Sequence, residues 1–392
     1  MIEAVQRAPG AVLFLLDDEG VVFDEPKQSL HWLNTTATAL WVLLETFGDA
    51  PCPPDALAEA VVQALGMPAA VAREAVAVAC RVWAQEGLLA DTERQDDQSD
   101  SYVPPSPIDM PAHGVQDWAM TKRFGFAGAA IELRAETDEL AHMIAPLYGH
   151  LPETADEPDT VIEAHRHEGG YLVRYNGIVD RAPMAIDQVA PLTKGYLWRA
   201  GTGRGGFLLN LHAGVVGDET GCILLPAASG SGKSVLTLAL MRAGLDYFSD
   251  EVALIRRGSF AVAPFPLMGC IKTPARHLFA GVEELPIHTR LDDKLVSYHL
   301  PPGRIAPAEI ARPVRMVIFP LYTPEGSGDL QPISRAEALG IMFGQCLDKG
   351  PQLTVADMHG LVMGFQAARC FSLRHDDLDV ATSNIIAAFQ EI

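Results

Sequence analysis

Apolar positions in the first 90 residues follow two different periods, one after the other. Short apolar runs separated by polar turns come first and predict strands at 11–16, 21–23 and 30–33. Apolar positions three and four residues apart come next and predict helices at 37–47, 54–65 and 69–85. Asn34 offers an N-cap oxygen to the first helix, and Gly66 follows the second. The segment therefore predicts a small β-rich module followed by three helices.

The composition changes after this module. Residues 91–115 are acidic and rich in Ser and Pro, which is typical of a linker. Strand, turn and helix signals alternate from there on as in α/β folds, and the last helix is predicted at 378–389. The sequence thus predicts an N-terminal domain at 1–90, a linker at 91–115 and a C-terminal domain at 116–392 with its core at 205–300.

A glycine-rich loop lies between an apolar strand and a helix in the C-terminal domain. The strand predicted at 222–225 leads into PAASGSGKS, and a helix is predicted at 235–243. Backbone N–H groups of such a loop point at phosphate oxygens, and the helix N-terminus adds partial positive charge. Lys233 can reach the β- and γ-phosphates, and the Ser234 hydroxyl can bind Mg²⁺. The predicted nucleotide-binding residues are Ser229, Gly230, Ser231, Gly232, Lys233 and Ser234.

The first position of this P-loop pattern departs from GxxxxGK[ST], because Ala227 stands where glycine is expected. A plain Gly/Ser turn before a helix is the alternative reading. The strand before the loop and the helix after it favour phosphate binding.

Two adjacent acids follow the loop. Asp250 and Glu251 interrupt the apolar run 245–255, read as one strand, so alternation is expected to send their side chains to opposite faces. Phosphoryl transfer needs one carboxylate near the acceptor hydroxyl and another near the metal. His212 follows a strand predicted at 207–211 and precedes a second strand that turns back into the loop. The alternatives are a strand-end turn with solvated acids and a structural histidine.

Charge and cysteine usage limit the partners. The net charge is -21, and residues 1–115 hold 5 Lys/Arg and 18 Asp/Glu, so contact with the phosphates of nucleic acid is excluded. Six cysteines without a CxxC pair indicate a reducing cytoplasm. The apolar run near the N-terminus is too short for a signal peptide or a membrane span. We therefore expect a cytoplasmic protein that binds neither nucleic acid nor membrane.

Residues 211–255 resemble the catalytic core of HPr kinase/phosphorylase and of the bacterial HPr-kinase-related proteins. The resemblance implies an α/β P-loop kinase domain, with a mixed sheet and flanking helices, over about 125–392. It implies ATP and Mg²⁺ as cofactors, Asp250 as general base toward a serine hydroxyl, and His212 and Lys233 as further catalytic residues. Ser234 and Glu251 would bind the metal, although Glu251 replaces a second Asp of that family. The hexamer of the HPr enzyme suggests a homo-oligomer, which an N-terminal fusion could block.

Residues 10–90 resemble PqqD-like domains, the winged-helix peptide-binding modules of ribosomal peptide biosynthesis. The opening hairpin, the Leu33–Asn34–Thr35–Thr36 helix entry and the later helices carry this resemblance. It implies that a leader peptide adds as a strand beside 30–33 and packs on the helix at 69–85. Trp32 is a candidate to line that groove, with a core position as the alternative.

Together the two halves predict an ATP-dependent kinase that phosphorylates a Ser or Thr of a precursor peptide bound through its leader. Tethering of the two domains would make the encounter between the bound peptide and the kinase site intramolecular. The alternative function is a noncatalytic nucleotide-binding adaptor that delivers peptide to other modifying enzymes, which the departures at Ala227 and Glu251 favour.

Overall fold

The computed structural model describes most of the chain. The described ranges are 4–90, 117–203, 206–228, 230–272, 284–291, 294–299, 303–307, 310–348 and 352–392, together with 275, 277 and 278. The predicted linker at 91–115 lies outside the described residues.

The described residues 4–90 form three strands and three helices. They are β1 (Ala11–Leu16), β2 (Glu19–Asp24), β3 (Ser29–Leu33), α1 (Thr35–Glu45), α2 (Pro54–Leu65) and α3 (Ala69–Gln85).

The described part of the remaining chain alternates strands and helices. In chain order these are β4 (Met120–Phe126), β5 (Ala129–Ala135), α4 (Asp138–Ile144), β6 (Thr160–His167), β7 (Gly170–Tyr175), α5 (Val189–Thr202), β8 (Phe207–Asp218), β9 (Gly221–Pro226), α6 (Lys233–Arg242), β10 (Asp246–Ser249), β11 (Val252–Arg256), β12 (Ala261–Ala263), β13 (Gly269–Lys272), β14 (Glu284–Leu291), β15 (Lys294–His299), β16 (Arg312–Tyr322), β17 (Ser327–Pro332), α7 (Arg335–Gly344), β18 (Cys346–Asp348), α8 (Val355–Phe365), β19 (Arg369–His375) and α9 (Leu378–Gln390).

The predicted helices of the N-terminal domain are present, with bounds set by their caps. The Asn34 side chain accepts a hydrogen bond from the backbone N–H of Ala37 at 2.9 Å, so α1 begins two residues before its predicted start. Gly66 ends α2 in the left-handed conformation, with φ of 66°. The bounds of α2 and α3 agree with the sequence prediction.

Packing divides the chain into two units. The first unit contains the described residues of 1–101, 332–344 and 351–370, and the second contains those of 102–331, 345–350 and 371–392. The segments with α7 and α8 therefore pack with the N-terminal domain, although they follow the predicted core in sequence. The predicted domain boundaries at 90 and 115 stay a prediction.

The three-stranded sheet of the first unit is covered on both faces. Its order is β1-β2-β3, all antiparallel. Val22 and Leu33 belong to the apolar core that the sheet shares with α1, α2 and α3. Val21 and Phe23, on the opposite face, are also fully buried. Helix α7 packs against all three strands and α8 against β1, so these helices supply the second cover.

Hydrogen bonds tie the two C-terminal segments to the sheet. Arg335 contacts Asp17 with an N–O distance of 2.7 Å. The Gln28 amide donates to the Leu353 carbonyl at 2.9 Å, and its oxygen accepts from the Leu353 N–H at 2.8 Å. These paired contacts fix α7 and α8 on this face.

We expect Trp83→Ala to destabilise the first unit by about 3–5 kcal/mol, because it leaves a large cavity in a closely packed core. Trp83 is 1% exposed and its ring lies edge-on to Trp41 with centroids 5.1 Å apart. Urea denaturation followed by fluorescence would measure the loss. Trp32→Ala is the matched control and should cost under about 1 kcal/mol, because Trp32 is 43% exposed. Equal losses for the two variants would contradict this packing.

Two larger sheets form most of the second unit. Strands β4-β5-β6-β7 make a four-stranded sheet on which α4 and α5 pack. In a nine-stranded mixed sheet, seven strands follow the order β10-β8-β11-β12-β16-β19-β17. The other two lie off this path: β9 pairs with both β8 and β16, and β18 pairs with β8. Helices α6 and α9 cover one apolar face of it, and their core includes Leu236, Leu240 and Ile385.

Helix α6 packs very closely on β8. A Cβ on Gly214 would lie 2.1 Å from the Thr237 hydroxyl oxygen, so only glycine permits this approach. The close contact holds the start of α6 over the strand that carries His212.

Candidate functional site

The glycine-rich loop joins β9 to the N-terminus of α6, in the predicted order of strand, loop and helix. Gly230 and Gly232 have φ of 95° and 89°, a region that disfavours side chains. The backbone N–H of Tyr322 donates to the Ser231 carbonyl at 2.9 Å and fixes the loop to β16. Ser234 lies partly exposed in the first turn of α6. Ser229 lies outside the described residues.

The two acids do not lie within one strand. The predicted strand 245–255 is wrong as a single element, because β10 ends at Ser249 and β11 begins at Val252. The Ser249 hydroxyl accepts hydrogen bonds from the N–H groups of Glu251 and Val252, at 3.3 and 3.1 Å, and so stabilises the break. Strand alternation therefore does not separate Asp250 and Glu251. Both carboxylates lie near Lys194 and Lys233.

Asp250 is buried beside the loop lysine. It is 1% exposed, and its Oδ2 accepts a hydrogen bond from the Cys270 N–H at 3.2 Å. Within the described part of the chain, its Oδ1 has no hydrogen-bond partner. Lys233 is 5% exposed, and its Nζ donates to the Asp250 carbonyl at 3.0 Å. The arrangement places a buried ammonium group against the backbone of Asp250, whose carboxylate keeps one oxygen free.

A second lysine, which sequence reasoning missed, neutralises Glu251. Lys194 on α5 lies with its Nζ 2.6 Å from the Glu251 carboxylate. The same Nζ donates to the Met268 carbonyl at 3.3 Å and lies 5.3 Å from the centre of the Tyr298 ring. No sequence signal marked Lys194, because its partner is distant along the chain.

Burial and these charges shift the pKa of each group in the cluster. Burial, and then the neighbouring Glu251, raise the pKa of Asp250 above its ordinary value. Burial would also raise the pKa of Glu251, but the charge and hydrogen bond of Lys194, together with Lys233 and His212, outweigh burial and the net pKa is lowered. Burial lowers the pKa of Lys233 to about 8, despite the opposing effect of Asp250. The cluster thus contains two carboxylates of different proton affinity, a pattern common at catalytic sites.

His212 lies in the middle of β8, so the prediction of two separate strands around it is wrong. The apolar run continues because Ala213 and Gly214 pair with Pro226 and Leu225 of β9. His212 itself pairs with Val252 on β11, next to the acids. Burial, and then Lys233, lower its pKa to about 4, while Glu251 opposes the shift. The ring is therefore uncharged at neutral pH.

We expect His212 to titrate far below the ordinary histidine value of 6.5, with a midpoint near pH 4. Because the folded chain binds this proton more weakly than the unfolded chain, the neutral ring contributes stability above pH 6.5 that is lost as the pH falls toward 4. Histidine NMR against pH would measure this, with His212→Asn used to assign the resonance. A midpoint near 6.5 would contradict this environment.

A further buried histidine lies beneath the loop and was also missed. His375 is 2% exposed, and neither ring nitrogen has a hydrogen-bond partner among the residues described. A Cβ on Gly232 would lie 3.7 Å from its Nε2, and the Tyr322 ring lies edge-on to it. Burial lowers its pKa. Its position on the last strand gave no sequence signal that linked it to the loop.

No cluster of three or more His, Cys, Asp or Glu side chains arranged for a metal occurs among the described residues. The assignment of Mg²⁺ to Ser234 and Glu251 stays a prediction. In the same described ranges, no helix is both long and apolar enough to span a bilayer.

A groove of about 460 Å³ lies on the first unit, beside β3. Its lining comes from β3, the end of α3 and the following turn, and α7: Leu30, His31, Trp32, Leu33, Val82, Trp83, Glu86, Leu88, Glu337, Gly340 and Ile341. Of the two positions expected for Trp32, groove or core, the structure has the groove lining, and the buried tryptophans of this unit are Trp41 and Trp83.

An exposed apolar stripe on α3 leads into this groove. Val71, Val78 and Val82 are each more than 45% exposed and, with Ala75 between them, recur every three or four residues. Exposed aliphatic side chains in a row are typical of a binding surface. Beside them, β3 lies at the edge of its sheet, where strand edges carry unpaired backbone groups.

Comparison with known proteins places the N-terminal part of the chain. No curated protein sequence matches the chain. Among solved structures the chain is similar to "TbiB1 in Complex with the TbiA(beta) Leader Peptide", with 18% identity, 23% of this chain and 99% of that chain covered, and a TM-score of 0.20. A likeness at that TM-score supports no further statement. Residues 19–89 match the family described as coenzyme PQQ synthesis protein D (PqqD), so the N-terminal domain is PqqD-like.

Proposed function

We propose that this chain is an ATP-dependent kinase that phosphorylates a Ser or Thr hydroxyl of a ribosomally made precursor peptide, whose leader the PqqD-like domain binds. The peptide-binding half rests on the family match at 19–89 and on the groove beside β3. The kinase half rests on the residues around the glycine-rich loop.

The groove suits an extended peptide. A strand added to β3 would satisfy backbone groups at the edge of the sheet, and its side chains would contact Trp32 and the α3 stripe. Trp32 and Val82 are 43% and 47% exposed, so such a peptide would remove large apolar surfaces from water. Backbone pairing would supply affinity, and the side chains would supply selectivity.

One observation carries the kinase proposal. Lys233, at the start of α6, reaches Asp250 with its Nζ 3.0 Å from the backbone carbonyl, and the Asp250 carboxylate keeps one oxygen unpaired within the described residues. A base that accepts a proton from an acceptor hydroxyl needs such a free oxygen. A loop lysine close by is where phosphate charge would be neutralised.

The residues present fit ATP and Mg²⁺. Gly230 and Gly232 have the positive φ that lets a glycine-rich loop turn its backbone N–H groups toward a phosphate, and the Ser231 hydroxyl oxygen is buried without a partner among the described residues. Lys233 would hold the phosphates, and Ser234 with Glu251 would hold the metal. ATP would supply the phosphoryl group, and Mg²⁺ would offset its negative charge.

The chain's own groups would then position and deprotonate the acceptor. The raised pKa of Asp250 makes it a stronger base than an exposed aspartate, and the Cys270 N–H fixes its orientation. Lys194 holds Glu251 ionised beside it, so the two carboxylates take different roles. His212, uncharged at neutral pH, would offer a hydrogen-bond acceptor on the adjoining strand.

The test is incubation of the full chain with ATP, Mg²⁺ and the precursor peptide encoded beside it, followed by peptide mass spectrometry. We expect the peptide to gain one phosphoryl group at a Ser or Thr. Unchanged peptide mass, under conditions where leader binding is demonstrated, would overturn the kinase proposal and leave peptide binding standing.

Two observations favour the second candidate, a noncatalytic adaptor that binds nucleotide and delivers peptide to another enzyme. Ala227 replaces the first glycine of the loop pattern, and Glu251 is engaged by Lys194. Asp250→Asn separates the candidates, because a kinase would lose phosphoryl transfer while an adaptor would still support its partner enzyme.

A further inference from the structure

The groove beside β3 has walls on both faces of the strand. His31 and Trp32 are adjacent in β3, so their side chains lie on opposite faces of the sheet. His31 Nδ1 lies 3.2 Å from the Glu86 carboxylate at the end of α3. On the other face, a Cβ on Gly340 of α7 would lie 3.3 Å from the Trp32 Cβ. Helix α3 thus flanks one face of the strand, and α7 flanks the other.

The two walls carry the same pair of side-chain types. Val82 on α3 and Glu86 at its C-cap are four residues apart, as are Glu337 and Ile341 on α7, so each pair shares one helix face. All four side chains line the groove. Each wall therefore presents one branched aliphatic side chain and one carboxylate to whatever occupies the groove.

We propose that α7 is the second wall of a two-sided peptide slot, which selects leader segments with aliphatic and basic side chains. The inference rests on the proposed function, since it specifies the peptide that the PqqD-like domain binds. A strand paired with β3 points successive side chains to opposite faces. One alternate set would meet Val82 and Glu86, and the other would meet Ile341 and Glu337.

Charge complementarity identifies the occupant. Glu337 takes part in no ion pair among the described residues, and Ile341 is 40% exposed. A Lys or Arg side chain would lay its aliphatic stem along Ile341 and Trp32 and bring its charge to Glu337. The net charge of -21 would favour the approach of a basic segment from solution. An acidic peptide would meet repulsion from both walls.

The experiment selects peptides from a phage-displayed library of random 16-residue sequences with the immobilised full chain. Enriched peptides are synthesised, and their affinities are measured for wild type, Glu337→Lys and Ile341→Ala. We expect enriched sequences to carry a Lys or Arg, and Glu337→Lys to weaken their binding roughly tenfold. Replacement of that one basic residue by Glu should restore binding to Glu337→Lys. An alanine scan should show two alternating sets of sensitive positions, and Ile341→Ala should abolish the sensitivity of one set only.

Matched controls lie on the same unit but outside the groove lining. Glu59→Lys makes the same charge change on α2, and Met363→Ala shortens a 53% exposed apolar side chain on α8. Both should leave affinity unchanged. Glu337→Gln should leave the unfolding temperature unchanged and, like Glu337→Lys, should weaken the binding of basic peptides.

The outcomes distinguish a failure of the second wall from a failure of peptide binding. Enriched peptides that bind Glu337→Lys and Ile341→Ala as well as wild type would overturn the second wall and leave leader binding intact. Equal weakening by Glu59→Lys would show a general charge effect and would also overturn the second wall. A wild-type chain that enriches no peptide would overturn the proposed peptide binding itself.

Discussion

Asp250→Asn is expected to lower the rate of peptide phosphorylation about 10²- to 10⁴-fold, the usual loss when a general base is removed. The substitution keeps the size of the side chain but removes its proton affinity. Its Oδ2 partner, the Cys270 N–H at 3.2 Å, can still bind the amide oxygen. Nucleotide binding should persist, because Lys233 reaches the backbone carbonyl of this residue and not its carboxylate.

The matched control for this variant is Asp246→Asn on the neighbouring strand. Asp246 is also buried, and its carboxylate contacts Arg304 and Arg312, each with an N–O distance of 2.9 Å. Loss of the Asp246 charge should reduce stability, because the buried Arg312 loses its ionised partner. The folded fraction should keep its phosphorylation rate. Quantitative mass spectrometry of the peptide, normalised to folded protein, measures the phosphorylation rate of both variants. A retained rate in Asp250→Asn would remove Asp250 from the proposed chemistry.

Val82→Glu is expected to weaken leader binding roughly thirtyfold, or about 2 kcal/mol, with little effect on folding. Val82 is 47% exposed in the free chain and lines the groove, so a bound peptide would cover it. A carboxylate there would be buried without a partner and would lie one helical turn from Glu86. Fluorescence anisotropy of a labelled leader peptide would measure the change.

Val42→Glu is the matched control for the leader-binding prediction. Val42 is an exposed valine of the same domain, on α1, and does not line the groove. It should bind leader as wild type does. Equal weakening by both variants, or none by either, would place the leader elsewhere on the domain.

Local signals in the sequence were sufficient for the N-terminal elements. Asn34 and Gly66 mark helix ends through their own side-chain and backbone chemistry, so α1 and α2 could be placed within two residues. The PqqD-like pattern left Trp32 between a groove and a core position, and in the structure it lines the groove. What could not be predicted is the cover that α7 supplies, because nothing local in 335–344 points to β3.

The candidate site around the loop was predicted less completely. The loop itself is marked by Gly230, Gly232 and Lys233, whose types follow directly from phosphate chemistry. The turn at Asp250 and Glu251 was only the alternative to a continuous strand, because the Ser249 hydroxyl that stabilises it resembles any strand serine.

The two other omissions at the site have a common cause. Lys194 reaches Glu251 only through packing of α5 near β11, and His375 reaches the loop only through the last strand of the sheet. Contacts between residues that are distant in sequence leave no pattern in a single chain.

The proposed function requires one chain to bind a leader through its PqqD-like domain and to phosphorylate the peptide attached to it. The most direct test compares kcat/KM for the intact precursor with that for the same peptide lacking its leader. Tethering predicts that the intact precursor reacts about 10²- to 10⁴-fold more efficiently, and that Val82→Glu removes most of this advantage. Equal kcat/KM for the two peptides, or an advantage that Val82→Glu leaves untouched, would contradict the account.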